Sequence, residues 1–169
     1  MMEVKWRETV LKIINIHNVV TVPSDLILAI IQQESGGDPW ACRFEPLFYD
    51  KYIKSNEHIT TPPGVSMATE QICRATSWGL MQIMGQVARE RGFTGKFLSE
   101  LCQPEIGLLW AMLHLDRFYK KYTELDAIAS YNAGSPRKKT GSLQYVNQDY
   151  VDGVLEWRRK VTGDIKDER

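Results

Sequence analysis

Hydrophobic and polar residues recur along most of the chain with the period of a helix rather than that of a strand. Trp6, Val10, Ile13, Ile14 and His17 share one face of an opening helix. A break is predicted at residues 20–22. Pro23 and Ser24, with Asp25 behind them, are favourable at a helix start. The helix that follows carries Leu26, Ile27, Leu28, Ala29, Ile30 and Ile31, an apolar run wide enough to be buried all round. Gln32-Gln33-Glu34 closes it, and Ser35-Gly36-Gly37 stops it. Residues 35–76 show no steady period. Pro39, Pro46, Pro62, Pro63 and Gly64 fall there, so a small sheet or irregular lobe is predicted in this stretch.

Helical spacing resumes afterwards. A helix is predicted from Gly79 or Ile83 to Arg91, ended by Gly92-Phe93-Thr94-Gly95, and a short one over 96–101. Pro104 opens the longest run, 105–122. Ile106, Leu109, Trp110, Met112, Leu113, Leu115, Phe118 and Tyr119 cover most of its circumference, as in the central rod of a bundle. Thr123-Glu124-Leu125-Asp126 reads as a helix start for 126–131, and Asn132-Ala133-Gly134-Ser135-Pro136 as its stop. A last helix is predicted over 147–160, with Gly153 weakening its middle. The charged tail, 162–169, is predicted to fray. The expected fold class is mainly α, a helical domain with a small irregular or β lobe, and a single domain over 1–169.

Composition narrows the function classes. With 43% hydrophobic and 25% charged residues the chain can bury a core. Lys+Arg and Asp+Glu balance at 21 each, which argues against an electrostatic nucleic-acid binder. No apolar run approaches the length of a membrane span. The first residues mix both charge signs around Trp6 and lack the apolar core of a secretory signal, so synthesis in the cytoplasm is expected. Cys42, Cys73 and Cys102 are odd in number and lack metal-ligand spacing. Free thiols are expected, a Cys42–Cys73 disulfide being the alternative. His58 and His114 have no Cys, Asp or Glu cluster to form a metal site with, and His114 in an apolar helix reads as a core histidine. No metal or cofactor is expected.

Glu34 is the residue whose position suggests chemistry. It ends an apolar helix, where the partial negative charge of the helix C-terminus and burial both disfavour the ionised carboxylate. A carboxyl group held protonated near neutral pH is what a general acid needs. The plain alternative is a solvated glutamate at a helix end. Its company along the chain decides between the two. Glu34-Ser35 is followed by Gly79-Leu80-Met81-Gln82-Ile83, then by Ser130-Tyr131-Asn132-Ala133-Gly134, then by Asn147-Gln148-Asp149-Tyr150-Val151-Asp152-Gly153-Val154-Leu155. In order and spacing these segments resemble the lytic transglycosylase family, the SLT domain, and its goose-type lysozyme relatives.

The resemblance implies a lysozyme-like helical fold and cleavage of the β-1,4 bond between N-acetylmuramic acid and N-acetylglucosamine in peptidoglycan. By position it implies that Glu34 is the catalytic acid. It also implies that Ser35, Met81, Gln82, Tyr131, Asn132 and Tyr150 border the glycan strand. Amide and hydroxyl groups of fixed geometry suit sugars, and aromatic faces suit pyranose rings. Taken as residues alone, Met81 reads as core, Tyr131 as a buried helix-end tyrosine and Asn132-Ala133-Gly134 as a helix cap.

The chain also departs from the family pattern. Met84-Gly85 stands where the family has a proline, and Arg74-Ala75-Thr76-Ser77-Trp78 replaces a run of small residues. Arg43-Phe44-Glu45-Pro46 looks like a segment of some phage cell-wall lysins, so a phage or prophage endolysin, or a virion-associated lysin, acting on the wall is expected, as a monomer. Goose-type relatives place an aspartate shortly before the Gly-Leu-Met-Gln motif; here that position falls near Cys73-Arg74. Hydrolysis with two carboxylates would need a substitute among Glu45, Asp50, Glu57 and Glu70, each of which otherwise reads as a solvated surface residue. Glu45 is the strongest candidate, because Phe44 and Pro46 restrict it. A transglycosylase needs one carboxylate, because the muramic 6-hydroxyl attacks and leaves a 1,6-anhydro end. The readings are a transglycosylase, a two-carboxylate muramidase, and a non-catalytic glycan-binding or structural phage protein.

Overall fold

Apolar helices dominate the chain, and the short strands are confined to its proline-rich middle. A computed structural model describes residues 5–17 and 21–167, except for the side chains of 164–167. The chain divides into two units, residues 1–37 with 112–169, and residues 38–111. Val20, at the expected break, lies outside the described residues.

Unit 1 contains α1 (Arg7–His17), α2 (Ser24–Ser35), the second half of α6 (Pro104–Lys121), α7 (Glu124–Ala133) and α8 (Gln148–Asp167). The periodic residues explain its core. All six apolar residues of α2 from Leu26 to Ile31 are buried, together with Val10, Ile13, Met112, Leu115, Ala127, Ile128, Val151, Val154 and Val161. Helix α2 packs most extensively on α8. Gly153 sits at their crossing, where an added Cβ would lie 2.6 Å from Gln33 Oε1. The glycine that costs α8 helix propensity therefore allows its backbone to approach α2. Charged residues tie the rim of this core. Arg158 on α8 donates to Asp25 at the start of α2 (2.8 Å) and to Glu124 at the start of α7 (2.7 Å). Thr123 caps α7, its side chain accepting from the Asp126 amide. Helix α8 continues to Asp167, past the point where fraying was expected. Its last turns before the charged end bury Val161, and Lys160 pairs with Glu156 one turn earlier.

Unit 2 holds a three-stranded antiparallel sheet in the order β1 (Cys42–Phe44), β2 (Thr76–Trp78), β3 (Ile83–Met84). Cys42 pairs with Trp78, Phe44 with Thr76 and Ser77 with Met84. Around it lie α3 (Pro46–Phe48), which runs on into a π-helical turn (Tyr49–Ile53), then α4 (Met67–Arg74), α5 (Gly85–Glu90), a 3-10 turn (Leu98–Cys102) and the first half of α6. Two expectations need correction. Helix α4 lies inside the stretch read as irregular, with Ser66 capping the Thr69 amide and Glu70 in its first turn. Gly79-Leu80-Met81-Gln82 is not a helix start but the turn joining β2 to β3. Gly79 has φ +69 and its absent Cβ would lie 2.5 Å from the Leu101 carbonyl oxygen. Only glycine fits that contact, its positive φ lies outside the right-handed helical region, and Ile83, the other expected start, lies in β3, so the helix begins at Gly85.

Glu70, read from the sequence as solvated, is buried. Arg74 Nε and Arg89 Nε both donate to its Oε1, at 2.9 and 2.8 Å, and Arg89 Nη2 donates to Oε2 at 3.1 Å. Arg89 also donates to the carbonyls of Phe93 and Gly95, so the triad joins α4 to α5 and to the loop that ends it. Removing one partner of a buried charge cluster strands the others. Glu70→Ala is expected to destabilise the protein by about 3–5 kcal/mol in chemical denaturation. A loss within about 0.5 kcal/mol, as for a solvated residue, would contradict this account of unit 2.

Candidate active site

Glu34 stands in the last turn of α2, behind six buried apolar residues and before a left-handed cap at Gly36 (φ 62). Glu34 is half-buried. Tyr150, in the first turn of α8, donates its hydroxyl proton to Glu34 Oε1 at 2.7 Å. The residues lie 116 positions apart in the chain and meet because α2 and α8 cross closely at Gly153. Tyr131, in the last turn of α7, is near enough to feel the Glu34 charge. Burial first, and then the Glu34 charge, push both phenols well above their ordinary value; for Tyr150 the hydrogen bond to Glu34 adds to this. Both phenols therefore stay protonated across the physiological range, as hydrogen-bond donors beside a carboxylate. His114 packs against Tyr131 and Phe118 with ring centroids 5.7 and 4.8 Å away, which agrees with a core histidine.

The ends of these helices are pinned by polar side chains. Ser35 Oγ donates to the Ile31 carbonyl and accepts from the Gly37 amide, both at 3.2 Å. Its hydroxyl is thus engaged in closing α2. Asn132 is exposed at the end of α7, and Gly134 (φ 75) stops that helix. Asn147, immediately before α8, donates from Nδ2 to the Ala129 carbonyl and to Asn132 Oδ1, each at 3.0 Å. The sequence reading missed this residue. Asn at a helix start is an ordinary cap, and nothing local signals that its side chain turns away to α7.

In unit 2, Met81 is buried in the β2–β3 turn, as its residue type alone suggested. Gln82 is the one non-glycine residue with positive φ (49) among those described. Its Nε2 donates to the carbonyls of Ala41 and Gly79, both at 2.9 Å. The amide is locked, with both N–H groups turned inward and Oε1 left as an acceptor. A left-handed non-glycine residue costs about 1–3 kcal/mol and is characteristic of functional sites. Glu45 is paired with Arg43 (2.6 Å), and Asp50 with Lys54 (3.7 Å). No group of three or more metal-ligating side chains occurs among the described residues, and no helix among them is long and apolar enough to cross a membrane. All three cysteines are free.

The transglycosylase SLT domain family model matches residues 13–150. No curated protein and no solved structure gives a significant match. The match spans most of the chain, and the chain belongs to that family, whose members are lytic transglycosylases that cleave peptidoglycan. Its mainly α architecture with a small three-stranded sheet is that of a lysozyme-like domain.

The raised phenols have a consequence for stability. Below the ordinary tyrosine value of about 10 they are protonated in both folded and unfolded chains, and their contribution is fully present. Above it the unfolded chain loses protons that the folded chain keeps, so stability falls as pH rises. The melting temperature is expected to drop between about pH 9.5 and 11. The slope should be shallower in the Tyr131→Phe/Tyr150→Phe double variant. Equal slopes in calorimetry would contradict the electrostatic environment described for the two phenols.

Proposed function

We propose that this member of the transglycosylase SLT family cleaves the β-1,4 bond between N-acetylmuramic acid and N-acetylglucosamine with Glu34 as its one catalytic carboxyl group, leaving 1,6-anhydro-muramic ends. The observation that carries the reading is the 2.7 Å hydrogen bond from Tyr150 to Glu34 at the end of a buried helix. Protonated Glu34 delivers its proton to the glycosidic oxygen as the bond from C1 breaks. The N-acetyl group of the substrate assists at C1. The muramic 6-hydroxyl then bonds to C1, and its proton returns to Glu34, so no water is consumed. Tyr150 holds the carboxyl group in one orientation throughout. Tyr131 and Asn132 border the same glycan in unit 1. Ser35 serves by closing the helix that carries Glu34. Within unit 2, Gln82 has its Oε1 free to accept from a sugar hydroxyl or amide, and Met81 supports the turn that holds it.

The two-carboxylate muramidase has less support. Glu45 is held by Arg43, Asp50 by Lys54, and Glu70 by two arginines. Those three candidates already have cationic partners, and the fourth, Glu57, is exposed. The chain is read as one catalytic domain acting as a monomer on the bacterial wall. The Arg43-Phe44-Glu45-Pro46 segment supports a phage or prophage lysin.

Glu34→Gln is expected to lower the rate of wall clearing by at least about 10²–10⁴-fold while the fold survives, because an amide cannot deliver the proton. Tyr150→Phe is expected to cost roughly tenfold to a hundredfold, the value of one hydrogen bond to a charged group. Glu45→Gln should leave most of the rate. Clearing by folded Glu34→Gln within about tenfold of the parent would remove Glu34 from the catalytic role. A collapse in Glu45→Gln as deep as that in Glu34→Gln would favour the muramidase instead.

A further inference from the structure

We infer that Asn147 is a positioning residue for glycan binding, acting through Asn132 and through the start of the helix that carries Tyr150. The inference rests on the reading of Asn132 as a substrate-binding residue.

Asn147 occupies the cap position of α8, where its main-chain carbonyl accepts from the amides of Tyr150 and Val151. An asparagine there ordinarily turns its side-chain oxygen onto the first free amides of the helix. Here it does not. Asn147 Oδ1 is buried and has no hydrogen-bond partner, the only such side-chain atom among the described residues. The amide is oriented by its other end instead. Both Nδ2 hydrogens are used, on the Ala129 carbonyl and on Asn132 Oδ1. Turning the amide over would lose both bonds, since neither acceptor can donate back to Oδ1 as placed. An unpaired buried acceptor is unfavourable, and native structures keep few of them. The arrangement therefore gives up a helix cap and a satisfied oxygen in favour of two bonds to α7.

What those bonds achieve is specific. Asn132 is exposed, and left alone its amide could turn over and present either end. Donation from Asn147 fixes Asn132 Oδ1 inward and leaves the Asn132 NH2 group facing outward. An outward pair of N–H donors matches the carbonyl of an N-acetyl group or a sugar hydroxyl. The bond to Ala129 meanwhile fastens the last turn of α7, which carries Tyr131, to the first turn of α8, which carries Tyr150. One side chain thus sets both the polarity of the exposed amide and the relative placement of the two phenols.

The test separates positioning from mere stability. Aspartate at 147 can cap the helix but would also set its charge against the Ala129 carbonyl and Asn132 Oδ1, so the melting temperature of every variant is measured and binding is compared at a temperature where all are folded. A carboxylate cannot donate to Ala129 or Asn132, so the same variant should bind glycan less well. Binding is measured by titrating soluble, uncleaved peptidoglycan glycan chains into proteins that all carry Glu34→Gln, which keeps turnover out of the readout. Asn132→Ala, Asn147→Ala and Asn147→Asp are each expected to weaken binding about tenfold or more. Combining Asn132→Ala with either Asn147 variant should add little further loss, because the two residues act as one unit. Parent-like binding by both Asn147 variants, with Asn132→Ala impaired, would overturn the inference and leave Asn132 in place. Losses that multiply in the double variants would also overturn it. Parent-like binding by Asn132→Ala would overturn the reading of Asn132, and the inference with it.

Discussion

The close crossing of α2 and α8 is the constraint on which the contact between Glu34 and Tyr150 rests. Two helices carrying full side chains at their contact keep their axes 8–10 Å apart. Gly153 removes one side chain at the point where Gln33 must fit. Tyr150 lies three residues before Gly153, on the same face of α8, and Glu34 follows Gln33. The glycine therefore brings the phenol within 2.7 Å of the carboxylate. Burial of Leu26 to Ile31 fixes α2 in place, and Arg158 fastens α8 to the starts of α2 and α7. Propensity, packing and chemistry meet at that crossing, where a residue unfavourable to the helix is required by the contact.

The surroundings of Glu34 combine opposing influences. The end of a buried helix is unfavourable for a negative charge. Two protonated phenols, one of them hydrogen-bonded, are favourable to it. Under the proposed reading Glu34 gives up a proton and takes one back, and the bond from Tyr150 holds its Oε1 in place through both steps. Unit 2 supplies a different kind of preorganisation. Gln82 is held in a left-handed conformation with both amide hydrogens committed, so a ligand meeting its oxygen meets an acceptor already in place.

Much of this was legible in the sequence, and the remainder was hidden for identifiable reasons. Helices α1, α2, α6, α7 and α8 carry enough turns for their period to be read, and the Thr123 cap and the Gly134 stop stand where residue type placed them. The three strands have two or three residues each, too few to show an alternation. Helix α4 is a single amphipathic stretch shortly after Pro62 and Pro63, and only Ser66 with Glu70 marked its start. Glu70 looked solvated because its partners, Arg74 and Arg89, become informative only once α4 and α5 are in contact. Glu34, Tyr131, Asn132 and Tyr150 were named from their motifs, and the structure gathers them in unit 1. Gly153 and Asn147 were read by local rules alone, one as a helix weakener and the other as part of a motif. Their roles lie in contacts with Gln33, Ala129 and Asn132, which no local rule contains.

The central claim is that one carboxyl group suffices because the substrate supplies its own nucleophile. The most direct measurement is mass spectrometry of muropeptides released by the parent protein in water enriched with heavy oxygen. Intramolecular attack by the muramic 6-hydroxyl predicts new ends that are one water lighter than a reducing sugar and carry no label. Reducing ends with heavy oxygen at C1, formed as fast as the walls clear, would show that water is the nucleophile and would contradict the account.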